Sequence, residues 1–186
     1  LGDILRGRSR FAEAARAYDR AVERLGPPER RQWTRYYARG IAHERARDWP
    51  RAEADFLKAL ELSPDQPYVL NHLGYSWADQ GRELQRARRM IERAVELRPH
   101  DGHIIDSLGW VLFRLGDYRG AVRWLERAAE LLPRDPVIND HLGDAYWMVG
   151  RHAEAQFQWR RALNLGPEPA EIPKIEAKLR DGLGLP

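Results

Sequence analysis

The sequence predicts an all-α chain of stacked amphipathic helix pairs, and three observations predict it. Leu-Gly recurs at 73–74, 108–109 and 142–143, inside "LNHLGYSWADQG", "IDSLGWVLFRLG" and "NDHLGDAYWMVG". Small residues follow in pairs, Ala52/Ala59, Ala87/Ala94, Ala121/Ala128 and Ala155/Ala162. Each group closes on a proline, Pro64, Pro99, Pro133 or Pro167, and the spacings are 34 or 35 residues. One helix pair cannot bury its apolar stripes alone, so repeated pairs must stack.

Each element follows in order. "LGDILRGRSRFAEAARAYDRAVERLG" fits the frame only if Leu1-Gly2 take the Leu-Gly place, Ala14 and Ala21 the small pair and Tyr18 the large residue between them. A truncated first copy over 1–32, opening in mid-helix as part of a longer array, is the expectation. Ile4, Leu5 and Phe11 would then lack part of their cover. The second copy, 33–66, carries Arg39 and His43 where the others are apolar, so looser packing is expected there. Gly2 and Gly40 are 38 residues apart, which places about four extra residues in "GPPERRQW". The third copy, 67–101, has one extra residue within "ADQGRELQR". The fourth and fifth copies span 102–135 and 136–169. Proline stops each second helix, and "SPD", "RPHD" and "PRDP" supply an acid to cap the next. A cap helix is expected over 170–183, from "EIPKIEAKLRDGL". Ile172, Ile175 and Leu179 share its apolar face, Pro173 belongs to its first turn, and its charged remainder faces solvent.

The pattern resembles the tetratricopeptide repeat (TPR), whose motif is W-x2-L-G-x2-Y, then A-x3-F, then P. Here it reads Leu70-x2-Leu73-Gly74-x2-Trp77 with Ala87-x3-Ile91 and Pro99. Next come Ile105-x2-Leu108-Gly109-x2-Leu112 with Ala121-x3-Leu125 and Pro133, then Asn139-x2-Leu142-Gly143-x2-Tyr146 with Ala155-x3-Trp159 and Pro167. An earlier copy reads Tyr36-x2-Arg39-Gly40-x2-His43 with Ala52-x3-Phe56 and Pro64. The resemblance covers nearly the whole chain. It implies a right-handed superhelix, an α-solenoid of antiparallel helix pairs, whose first helices line a concave groove.

One helix shows why that groove matters. In "DSLGWVLFRLGDY" (106–118), Leu108, Val111, Leu112 and Leu115 already make a buried stripe. Trp110 lies about 200° around the helix from Leu108, so Asp106, Trp110 and Phe113 share a second face. By resemblance, the groove slots are the second, fifth, ninth, twelfth and thirteenth positions of each copy. With Trp33, Pro67, Gly102 and Pro136 as first positions, the first two copies supply Thr34, Tyr37, Ile41, Glu44, Arg45, then Tyr68, Asn71, Tyr75, Ala78 and Asp79. The next two supply His103, Asp106, Trp110, Phe113, Arg114, then Val137, Asp140, Asp144, Trp147 and Met148. Tyr37, Tyr68, Asn71, Tyr75, His103, Asp106, Trp110, Phe113, Asp140, Asp144 and Trp147 are therefore the candidate peptide-binding residues. The alternative is that the aromatics only pack the inner wall. Aromatic rings give large contact area at low entropy cost, and Asn and Asp can bond a peptide backbone or a basic side chain. The Lys/Asn/Arg clamp with which some TPR domains hold chaperone C-termini is missing, and Asp106 and Asp140 would repel a terminal carboxylate.

Composition sets the outer limits. Cysteine is absent, which removes disulfides, thiolate chemistry and Cys-ligated zinc. Only Lys58, Lys174 and Lys178 are lysines, an arginine bias that fits a GC-rich bacterial genome. A net charge of +3 does not mark a nucleic-acid binder, and the arginines read as a solvated surface. No apolar run reaches the roughly 18 residues a membrane span needs. Neither a phosphate loop nor a nucleophile motif is present, so no enzyme activity and no cofactor are expected. His103, Asp106, Asp140 and Asp144 could approach one another and hold a divalent ion, but a helix-start role is the stronger reading, and no metal is assigned.

The expected function is a protein–protein interaction module, an adaptor or scaffold that takes a peptide or partner helix in the groove. Self-association through an exposed repeat end, with the truncated first copy as the contact, is the alternative. A regulatory appendix of a larger enzyme is another. The bacterial cytoplasm and the periplasm or cell envelope both remain open.

Overall fold

The computed structural model describes residues 1–24 and 26–184. Among them every regular element is helical. The elements are α1 (Gly2–Gly7), α2 (Phe11–Glu23), a 3₁₀ turn (Arg30–Gln32), α3 (Trp33–Arg45), α4 (Trp49–Leu62), α5 (Pro67–Asp79) and α6 (Leu84–Leu97). They continue with α7 (Gly102–Arg114), α8 (Tyr118–Leu131), α9 (Pro136–Met148), α10 (His152–Asn164) and α11 (Ile172–Asp181). The chain divides into two compact units, Leu1–Leu73 and Gly74–Pro186.

The turn within each pair has a common construction. Its second residue is left-handed: Ser9, Arg47, Gly81, Gly116 and Gly150, with φ of 56, 63, 69, 82 and 82°. Its third residue returns an N–H to a carbonyl of the closing helical turn, as Asp117 does to Leu112 (3.0 Å) and Arg151 to Tyr146 (2.9 Å), the signature of a Schellman close. Four of these turns have three residues, and 80–83 has four. That is the expected extra residue, and Glu83 absorbs it with a second left-handed conformation, φ 48°. The insertion before α3 is the 3₁₀ turn, closed by a capping box between Glu29 and Gln32.

Close approach explains the recurring small residues. A Cβ on Gly40 would stand 2.6 Å from Phe56, one on Gly74 2.8 Å from Ile91, one on Gly109 2.5 Å from Leu125 and one on Gly143 2.5 Å from Trp159. In every copy the partner is the large residue of the second helix that follows the first alanine by four. Gly2 meets Tyr18 in the same way at 2.7 Å. Both alanines of each pair in α4, α6, α8 and α10 are fully buried, and so is Leu73, with Leu108 and Leu142 only 3% and 2% exposed. Asp101 caps α7 through the amides of His103 and Ile104, and Asp135 caps α9 through those of Val137 and Ile138.

Within the Leu1–Leu73 unit two expectations change. Ala21 is exposed, unlike Ala14. It lines an open cavity of about 440 Å³ together with Leu1, Gly2 and Thr34. The second copy is not loosely packed. Arg39 grips Asp55 with two hydrogen bonds of 2.8 and 2.6 Å and reaches Asp19 at 3.3 Å. His43, 3% exposed, also stands 3.4 Å from Asp19. A paired polar network thus replaces apolar contact, while Ala52, Phe56 and Ala59 stay fully buried.

Helix α11 corrects the reading of the C-terminal segment. Ile175 is 1% exposed but Ile172 is 36% exposed, so Ile172 is not part of the buried face. Pro173 stands in the first turn as expected. The charged side does not simply face solvent, because Lys178 folds in against α9 at 2.8 Å from both Asp140 and Asp144.

Candidate binding groove

In the Gly74–Pro186 unit the first-helix faces converge on one cavity of about 470 Å³. The end of α5 contributes Tyr75 and Asp79, α7 contributes Trp110, and α9 contributes Val137, Asp140, His141 and Asp144. The far wall is α11, through Glu171, Lys174, Ile175 and Lys178. If the repeat frame is carried on with Ala170 as first position, Glu171, Lys174 and Lys178 fall on the second, fifth and ninth slots. Helix α11 therefore lines the same cavity as the first helices, at the matching slots. The repeat frame carries that signal in the sequence, but the charged, cap-like pattern of 170–183 masks it.

The floor is built around a residue the slot rule omits. His141 is the sixth position of its copy and is 6% exposed. Its Nδ1 lies 3.0 and 3.1 Å from the two carboxylate oxygens of Asp106. Its ring stacks on Trp110, with centroids 4.2 Å apart and planes at 12°. Trp110 stacks in turn on Phe113 at 5.1 Å and 6°, and Tyr75 lies 6.4 Å from the His141 ring. Burial alone would lower the His141 pKa. The Asp106 carboxylate, by charge and hydrogen bond, outweighs that with help from Asp140 and Asp144, and the net direction is upward. Asp106 is 6% exposed and committed to His141, so it is not an acid open to the groove.

A second network flanks the first. Lys178 donates to both oxygens of Asp140 at 2.9 and 2.8 Å and to Asp144 at 2.8 Å. Asp144 also accepts from the Trp159 indole at 2.9 Å, which ties the groove wall to the α10 core. Burial pushes the Asp144 carboxyl up to about 6; Lys178 pulls against this and Asp140 adds to it. Lys178 itself is raised, because two carboxylates offset its burial. Both shifts are upward, which favours the charged form of Lys178 and the neutral form of Asp144, because a single ammonium serves two carboxylates.

The other sequence candidates scatter. Phe113 and Trp110 also line a smaller cavity of about 270 Å³ with Tyr118, Met148 and Leu183. Trp147 stacks on His152 at 4.1 Å, sits 5.4 Å from Trp159 and is overlaid by Gly182. It is a packed residue more than an open one. His103 is turned toward Asp135 at 3.8 Å, so it does not join Asp106, Asp140 and Asp144 as the metal alternative requires. Tyr37, Tyr68 and Asn71 belong to the other unit. There Tyr37 packs on Trp33, Phe56 and His72, with centroids 6.2, 6.0 and 5.9 Å away. Tyr68 is 44% exposed, and Asn71 Oδ1 is buried without a hydrogen-bond partner.

Comparison with known proteins agrees with the repeat. One tetratricopeptide repeat model matches residues 1–67 and 37–101, and a second matches 105–135. The TPR repeat-containing protein PA4667 of Pseudomonas aeruginosa is 36% identical over 87 residues, 47% of this chain but only 15% of that protein. Among solved structures, TTC0263, a thermophilic TPR protein of Thermus thermophilus, superposes with a TM-score of 0.74 at 20% identity, covering 100% of this chain and 96% of that one. Pseudomonas aeruginosa pilF gives 0.75 at 18% identity, covering 98% and 82%. With its first 101 residues matched by one family model, five glycine-against-large-residue contacts in register and TPR folds as neighbours, the chain belongs to the tetratricopeptide repeat family.

Proposed function

We propose that the chain is a protein-interaction module and that the first-helix face of the Gly74–Pro186 unit takes an extended peptide or a partner helix. The observation that carries this reading is the cavity of about 470 Å³. It lies in the range of roughly 300–1,000 Å³ typical of ligand sites and combines aromatic walls with a few placed polar groups. Trp110 and Tyr75 are its anchors, Val137 offers an apolar contact, 44% exposed, and the carboxylates add polarity. No helix among the described residues is long and apolar enough to cross a membrane.

A peptide array screened against the protein supplies ligands for the test, followed by calorimetric titration of the best ones. Trp110→Ala should weaken binding by about 2–4 kcal/mol, as an aromatic hot spot does. Titrations are compared at a temperature where melts show the variant folded. Unchanged affinity in folded Trp110→Ala would assign the ring to the wall alone.

A second reading is association of two copies through α1, favoured by Leu1 and Ile4, which are 75% and 59% exposed. Light scattering on wild type and Ile4→Glu tests it: a dimer that the substitution splits supports the reading, and a monomer in both removes it.

A further inference from the structure

The charge inside the cavity narrows the chemistry of its occupant, on the assumption that the groove reading above holds. The chain as a whole carries +3, yet five carboxylates line this one cavity against two lysines. Lys178 is shared by Asp140 and Asp144. Lys174 is held by Glu171 at 2.8 Å. Asp79 and Glu168 are exposed at the margin, and neither carboxylate is ion-paired among the described residues; the chain's own Arg114, outside the cavity lining, bonds the Asp79 carbonyl at 2.6 Å and stands 5.7 Å from the Trp110 ring. The imidazole of His141 is committed to Asp106 through Nδ1, while Nε2 has no partner among the described residues. The cavity therefore holds more carboxylate than its own cations balance. Tyr75 feels the same field: burial, then the charges of Asp106 and Asp79, push its hydroxyl up.

Three kinds of occupant can be compared. An anion meets an excess of like charge, five carboxylates against two lysines that are already paired. A neutral apolar group would desolvate the carboxylates and give nothing back. A cation with a flat, weakly hydrated head uses both features of the site, since it stacks on aromatic rings and pairs with carboxylates through several N–H groups. We infer that the cavity receives an arginine side chain of the bound partner, its guanidinium set against the aromatic wall and directed toward Asp79 and Glu168. Charge complementarity of this kind fixes register and raises association rates.

The test uses the whole chain and two small probes, N-acetyl-L-arginine amide and its neutral isostere N-acetyl-L-citrulline amide. Each is titrated at low salt while backbone amides and tryptophan indoles are followed by NMR. The expected result is a response centred on Tyr75, Trp110 and Val137, with the arginine probe at least about ten-fold tighter, as befits a charge-assisted contact. Asp79→Asn combined with Glu168→Gln, two exposed positions that leave the core untouched, should remove most of that difference. Equal affinity of the two probes at this cavity would overturn the arginine assignment and leave the groove reading standing. Arginine shifts that map elsewhere, or no response to either probe, would overturn it as well, and the peptide array then judges the groove reading on its own.

Discussion

A Cβ on Gly143 would stand 2.5 Å from the Trp159 ring, and Trp159 is fully buried and tied to Asp144. In an open helix, Gly→Ala gains about 1 kcal/mol. Here the sign should reverse, because neither the ring nor the backbone can give way: Gly143→Ala should cost about 1–3 kcal/mol. Gly7, with nothing near its would-be Cβ, is the control, and Gly7→Ala should lose nothing. Urea unfolding of the two variants checks the pair. The buried acid beside Trp159 gives a second outcome. The folded chain holds the Asp144 proton up to about pH 6, above the ordinary carboxylate value of roughly 4. A group raised on folding contributes stability below its unfolded pKa and loses it as pH climbs through the folded one. The stability of wild type relative to Asp144→Asn should therefore fall between about pH 4 and 6 and level off above. Unfolding curves across that window measure it, and a rise over the same interval would contradict the assignment.

At the scale of elements, helix pairs are interchangeable in frame but not in chemistry. Helix α3 packs through Arg39 and its carboxylates where α5 uses Leu73 and α7 uses Leu108. Removing one partner of such a pair strands the other. Arg39→Leu should cost about 3 kcal/mol. Asp55 holds the place that Met90 holds in the next copy, so Arg39→Leu with Asp55→Met should recover most of that loss, as apolar replacements of buried pairs do. Thermal melts of the single and double variants test this, and an equal loss in both would mean that the network supports more than its own pair. This element also shows where the sequence was legible. The glycine contacts, the alanine pairs of α4, α6, α8 and α10, the one extra residue before α6 and the proline stops follow from spacing alone, because backbone approach and helix termination are local rules. The Arg39 network did not: its acids lie on α2 and α4, 20 and 16 positions away along the chain, and periodicity registers only that an apolar slot is broken.

On the scale of the whole molecule, the groove face was legible in outline and not in its wiring. The slot rule names Tyr75, Trp110, Val137, Asp140 and Asp144, and the cavity unites them. It misses His141, one position past a slot, because a ring stacked on Trp110 and bonded to Asp106 is a product of two helices meeting. It misses Lys178, because the proline-closed copies end before α11 begins. The same two residues explain why Asp106 and Asp144 are occupied acids, leaving Asp79 and Glu168 as the carboxylates that the proposed partner would meet. Two exposed apolar residues separate the groove account from its alternatives. Val137 lies in the groove and is 44% exposed, and Phe157 lies on α10 and is 60% exposed. Calorimetric titration of an array-derived peptide into wild type, Val137→Arg and Phe157→Arg is the most direct measurement. The groove account predicts that Val137→Arg weakens binding about ten-fold or more while Phe157→Arg leaves it within about two-fold, a contact at the site against a surface change away from it. Loss of affinity in Phe157→Arg with Val137→Arg unchanged would place the partner on the second-helix face and contradict it.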